Sequence, residues 1–133
     1  GPWPAHCIRS TRGAAFHPRI QLPSDATSIV SKATSPDKDA YSGFDGTDLA
    51  GRLRQCGIDS IVVAGLATDV CVKNTVLDAR NEGFDVTVVR EAVSGVEMHP
   101  GDSATALREM TERGARIASV ETVGREIDRG ESS

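Results

Sequence analysis

The sequence is short of nearly every feature that would mark a specialised class. Aromatics make up 4% of the 133 residues (one Trp, one Tyr, three Phe) and there are three cysteines with no CxxC pair. Neither a disulfide scaffold nor a four-cysteine zinc site is therefore encoded, and reduced thiols in a cytosol are the expectation. The longest apolar run, Ile61 to Ala67, is too short for a membrane-spanning helix or a signal core, so no membrane partner is expected. Lys and Arg number 15 against 19 Asp and Glu, a net charge of −4, and they form no cluster. A phosphate-backbone footprint is absent and nucleic acid is not an expected partner. Repeats and low-complexity segments are also lacking. What remains is a composition suited to one soluble, cytoplasmic α/β domain, since a chain of this length buries roughly 65 to 70% of its unfolded surface without staples.

The hydrophobic pattern organises that domain. Four prolines fall in the first 24 residues with no sustained apolar period, predicting an ordered loop. Ser28 to Ala33 reads as a short strand ended by a Pro36-Asp37 turn, which places Lys32 at a strand's C-terminal end. Thr47 is a candidate N-cap for a helix presenting Leu49, Leu53 and Cys56 before Gly57. Ser60 to Leu66 is continuously apolar, the pattern of a strand buried on both faces of a parallel sheet. A helix with Val72, Thr75, Val76 and Ala79 on one face then runs to Gly83, with Cys71 in its first turn. Phe84 to Val89 is the next strand. Asp102 or Ser103 caps a helix that ends at Gly114, and Ala115 to Val120 is the last strand. This β-α-β-α-β-α-β rhythm predicts a Rossmann-like parallel sheet with helices on both faces. Residues 1 to 123 are assigned to the domain and 124 to 133 to a polar, frayed tail.

Ligands of such sheets bind beyond the C-terminal strand ends, which selects Lys32 and the Gly65 to Cys71 turn. A thiol at a helix N-terminus is favoured as thiolate by the dipole, and a neighbouring ammonium adds to that. The first-turn N–H groups also suit a tetrahedral oxyanion. The bland alternative is that Cys71 is a small buried hydrophobe, and position alone does not separate the two.

Four motifs in register carry a resemblance. Trp3-Pro4-Ala5-His6-Cys7, Ser31-Lys32-Ala33-Thr34, Tyr41-Ser42-Gly43-Phe44 and Gly65-Leu66-Ala67-Thr68-Asp69-Val70-Cys71-Val72 occur in the order and spacing of the nicotinamidase branch of the isochorismatase-like cysteine hydrolases. The resemblance extends from Trp3 to about Val123. It implies that Cys71 attacks a carboxamide carbon, releasing ammonia and leaving a thioester that water cleaves. It also implies that Lys32 is the catalytic lysine, that the backbone N–H groups of Ala67 and Cys71 form the oxyanion hole, and that the Leu66-Ala67 peptide is cis. Trp3 and Tyr41 correspond to the aromatic wall that binds a heteroaromatic amide such as nicotinamide. His6 corresponds to one ligand of a divalent metal, zinc, iron or manganese.

The family's catalytic aspartate and remaining metal ligands lie on segments that precede the first of these motifs, and neither has a counterpart in this sequence. His17 and His99 lack companion ligands at metal spacing and are read as solvated or structural. Asp37, Asp39 and Asp69 are not promoted as substitute acids; Asp69 is read as holding its turn. In the family two further strands separate the lysine strand from the strand before the cysteine. An upstream segment, a second copy of the chain, or a rearranged Ser28 to Ala33 would have to fill that gap. The functional expectation is a nicotinamidase-type amidohydrolase; the alternative is a catalytically incomplete fragment or paralogue with an assembly role.

Overall fold

A computed structural model describes residues 3–23, 25–35 and 40–131. Up to residue 48 the described chain is turns and extended backbone, with a single 3₁₀ turn at Arg12–Ala14. Seven regular elements follow: α1 (Leu49–Gln55), β1 (Ser60–Leu66), α2 (Lys73–Asn81), β2 (Asp85–Ser94), α3 (Asp102–Glu112), β3 (Arg116–Ala118) and α4 (Val120–Glu131). The three strands form a parallel sheet in the order β1-β2-β3, as the apolar strand runs and intervening helices require.

Alternation along the strands sorts the two faces. Val86 and Val88 point to one side, where they join Val76 and Ala79 of α2 and Ala106 and Met110 of α3 in the main core. Val76, Val88 and Met110 are fully buried, each contributing about 1.5 to 3 kcal/mol relative to exposure. On the opposite side Val89 and Ala118 receive Val123 of α4 in a smaller cluster. Helices thus cover both faces, as an α/β fold demands.

Several expectations change on contact with the structure. Ser28 to Ala33 is not a strand: its backbone pairs with no strand among the described residues, and Ala33 adopts φ 54. β-branched composition favours a strand only where a neighbour supplies the ladder. The Pro36-Asp37 turn lies outside the described residues. β1 is at its predicted place, but it is an edge strand and not a doubly buried one, with Val62 52% and Leu66 74% exposed. The register of β1 against β2 shifts between Val63 and Gly65, where β2 runs on from Val88 to Val93 before pairing resumes and Gly65 takes φ 123. The Leu66-Ala67 peptide is cis, as the resemblance implies. The expected polar tail is instead the body of α4, whose first N–H (Val120) is accepted by the Glu91 carboxylate at the end of β2. Asp48, not Thr47, flanks α1, while the Thr47 hydroxyl accepts the Leu49 N–H at 3.4 Å.

Candidate active site

The site is built at the C-terminal end of β1. Here Ala67 opens a wide five-residue turn, Thr68–Val72, that runs directly into α2. The Ala67 carbonyl accepts N–H bonds from Val70 (3.1 Å) and Val72 (2.9 Å), so one acceptor pins both sides of Cys71. Thr68 and Val72 are buried beneath the turn, and this leaves Cys71 half-buried at its rim. Asn74 Nδ2 donates to the Val70 carbonyl at 2.7 Å and closes the turn from the helix side. Cys71 was expected in an α-helical first turn; it stands one wide turn earlier. Such turns replace the i→i+4 ladder locally and recur at functional sites.

The segment that faces this turn is held by side-chain bonds, since it has no strand of its own. Gly43 N–H donates to Thr75 Oγ1 of α2 at 2.9 Å, and Phe44 N–H to Ser42 Oγ at 3.0 Å. Ala40 and Ser42 are consequently buried, with Tyr41 half-exposed between them. Lys32 Nζ donates to the Ala40 carbonyl at 3.2 Å and lies 3.8 Å from Cys71 Sγ. The two residues selected by the strand-end argument do meet, although Lys32 arrives on extended chain and not on a strand. Trp3 Nε1 donates to Tyr41 OH at 3.1 Å, joining the two predicted wall residues across 38 positions. His6 is exposed, and its Nδ1–H donates to the Pro4 carbonyl at 2.7 Å, which leaves Nε2 with its lone pair. His17 Nδ1 accepts the Arg19 N–H and His99 faces Asp102 at 3.7 Å, both local structural roles. Asp37 and Asp39 lie outside the described residues.

A family model, the isochorismatase domain, matches residues 1–122. The chain belongs to the isochorismatase family. Within it, the chain is 40% identical over 121 residues to the nicotinamidase of Escherichia coli, an alignment covering 86% of this chain and 56% of the relative. Among solved structures, the pyrazinamidase of Pyrococcus horikoshii in complex with zinc superposes with a TM-score of 0.82 at 50% identity, over 90% of this chain and 64% of that one. PnC1 of L. infantum in complex with nicotinate superposes with a TM-score of 0.83 at 28% identity, over 91% and 62%. The chain thus spans less than two thirds of the length of these relatives. The parallel sheet flanked by helices matches the isochorismatase-like hydrolase structures.

Two residues beside the Cys71 turn make contacts that the sequence pattern does not show. Asp69 holds its turn as expected, through partners that are distant in sequence: the N–H groups of Val96 and Glu97, at 2.9 Å each, lie 27 and 28 positions away. Glu97 carries no signal in the sequence; its mark is a positive φ, 56, in a non-glycine residue. Among the described residues no group of three His, Cys, Asp or Glu gathers as a metal site, and no helix is long and apolar enough to cross a membrane.

Proposed function

We propose that this chain carries the nucleophile of a nicotinamidase-type amidohydrolase, converting nicotinamide or a related heteroaromatic amide to the acid and ammonia. The observation that carries this reading is the 3.8 Å approach of the Lys32 ammonium to Cys71 Sγ at the C-terminal end of β1. In the proposed reaction the Cys71 thiolate adds to the carboxamide carbon. The N–H groups of Ala67 and Cys71 receive the developing oxyanion, where fixed donors stabilise charge without reorganising. Collapse breaks the C–N bond, ammonia departs with a proton from solvent or a base, and a thioester remains. Water then cleaves the C–S bond to give the carboxylic acid and the free thiol. Lys32 holds the sulfur's negative charge, and Trp3 with Tyr41 walls the flat ring. Relatives named nicotinamidase and pyrazinamidase, and PnC1 of L. infantum solved with nicotinate, support the substrate class.

The zinc of the Pyrococcus horikoshii relative raises the question of a metal. Among the described residues the donor set falls short of a closed site: His6 offers one oriented nitrogen and no companion. His6 is proposed as a single ligand to zinc, iron or manganese. Three free thiols fit a reducing, cytosolic setting. The alternative of an assembly role has less support, since the Lys32–Cys71 pairing serves no packing purpose at a half-exposed rim.

Ammonia release from nicotinamide tests the reading. Cys71→Ala is expected to lose at least about 10³-fold in rate, whereas Cys7→Ala and Cys56→Ala, whose thiols are exposed elsewhere, keep it. Equal rates in all three variants would overturn the assignment.

A further inference from the structure

We propose that Asp69 is a positioning residue: its carboxylate latches the Cys71 turn to the loop between β2 and α3, and that latch sets where the sulfur stands. The inference rests on Cys71 being the nucleophile, and its test separates the two claims.

Asp69 lies two residues before Cys71 in the Thr68–Val72 turn. Oδ1 accepts the Val96 N–H and Oδ2 the Glu97 N–H, each at 2.9 Å, so consecutive backbone donors are gripped by one carboxylate. Only a group with two equivalent acceptors makes that grip; an amide would turn an N–H₂ toward one of the donors. Glu97 continues the chain of bonds. Held at φ 56, it sends its own carboxylate to the N–H groups of Gly101 (3.0 Å) and Ser103 (2.6 Å), at the start of α3. The start of α3 is thereby tied to Glu97, Glu97 to Asp69, and Asp69 to the turn of the nucleophile. Gly95 marks how closely these parts fit: a Cβ there would collide with Ser103 Oγ and lie 3.1 Å from Asp69 Oδ1.

The charge state agrees with a latch and not with a base. Partial desolvation works against ionisation of Asp69, but the N–H groups of Val96, Glu97 and Asp69 itself outweigh it, with the Lys73 ammonium adding, and its carboxyl sits below the usual range. A carboxylate so stabilised, with both oxygens committed to the loop, is a poor proton acceptor.

The test compares Asp69→Asn with the unaltered protein by two readouts, one of them independent of turnover. The first is the rate of Cys71 alkylation by iodoacetamide at neutral pH, followed by mass mapping of the Cys71 peptide. Removing a negative charge near the sulfur would by itself favour the thiolate and speed alkylation. Loss of position, away from Lys32, slows it; the expectation is a slowing of about fivefold or more. The second is kinetic: kcat for nicotinamide falls roughly tenfold or more while KM stays within about twofold. Faster or unchanged alkylation in Asp69→Asn, with unchanged kcat, would overturn the latch. Where Asp69→Asn does not fold, Glu97→Gly serves. It cuts the tie to α3 and leaves both N–H bonds to Asp69, so it is paired with Val96→Pro, which removes one of the two donors: Val96→Pro is expected to slow alkylation more than Glu97→Gly, and no change in Val96→Pro overturns the proposal. If Cys71 in the unaltered protein reacts no faster than Cys7 and Cys56, the nucleophile reading fails first, whatever the variants do.

Discussion

The Lys32 ammonium stands 3.8 Å from the Cys71 sulfur and 3.2 Å from the Ala40 carbonyl, bridging an extended segment and the turn after β1. One donor is fixed by a neutral carbonyl so that its charge faces the sulfur. Lys32→Met, which keeps the stem and removes the charge, is expected to lower amide hydrolysis by about 10²-fold or more. Lys32→Arg should restore little of it, since a planar fork does not reproduce a compact ammonium between two acceptors. Steady-state ammonia release checks both variants, and a fully active Lys32→Met would remove Lys32 from the site.

The Trp3–Tyr41 hydrogen bond ties the first described residue to the segment over α2. Tyr41→Phe removes the acceptor and keeps the ring, leaving a half-buried indole N–H without its partner at a cost of about 0.5 to 1.5 kcal/mol. If the pair walls the substrate ring, KM for nicotinamide rises about two- to tenfold with kcat little changed. A fall in kcat at constant KM would assign Tyr41 to the chemistry instead.

Local signals were legible in the sequence where physics is local. Ser60 to Leu66 is found as a strand at its predicted bounds, because a continuous apolar run bracketed by turn residues has few other folds open to it. Lys32 and Cys71 do meet, but not for the reason the pattern offered: Lys32 lies outside the sheet and reaches the sulfur from a segment anchored at the Ala40 carbonyl. Misreadings arose where a distant partner decides. Ser28 to Ala33 has the composition of a strand but no ladder among the described residues. Gly124 and the surrounding charges disguised α4, which depends on Val123 meeting Val89 and Ala118 and on the Glu91 carboxylate at its first N–H. The Asp69 bonds were hidden for the same reason: the acceptor is in the sequence motif, the donors are backbone groups of another loop.

Gly114 closes α3 at φ 98, and a Cβ there would lie 2.7 Å from Arg80 Nη2 and 3.0 Å from Nε. That guanidinium is engaged with the carbonyls of Arg113 (3.0 Å) and Phe84 (2.9 Å), stitching α2 to the ends of the two neighbouring connections. Gly114→Ala should therefore destabilise by about 1 to 3 kcal/mol through backbone conformation, with an added loss from the displaced Arg80. Gly57→Ala is the control: it also has positive φ, 72, but open space around the new methyl. Urea unfolding is expected to place Gly114→Ala below Gly57→Ala, and equal midpoints would mean that the Arg80 bonds contribute nothing.

Acid should weaken the fold through its hydrogen-bonded carboxylates. Three are held below their ordinary values. The Arg116 guanidinium bonded to Glu126 lowers that carboxyl. The Ser103 side chain and N–H lower Glu97, although the Ser103 hydroxyl is buried without a bond of good geometry, so the 2.6 Å N–H contact is the firmer cause. For Asp69, desolvation is outweighed by the loop N–H groups. A carboxyl whose folded value is depressed contributes stability above its unfolded value, 3.8 for Asp69 and 4.5 for the two glutamates, and loses it as pH falls through the folded one. The melting temperature should be flat near neutrality and fall below about pH 4.5. Glu126→Gln, remote from Cys71, should be less stable at neutral pH and show a shallower acid decline with an unchanged rate of Cys71 alkylation. Asp69→Asn should flatten the same limb while slowing that alkylation. An acid limb of identical slope in both variants and the unaltered protein would place the titrating groups elsewhere.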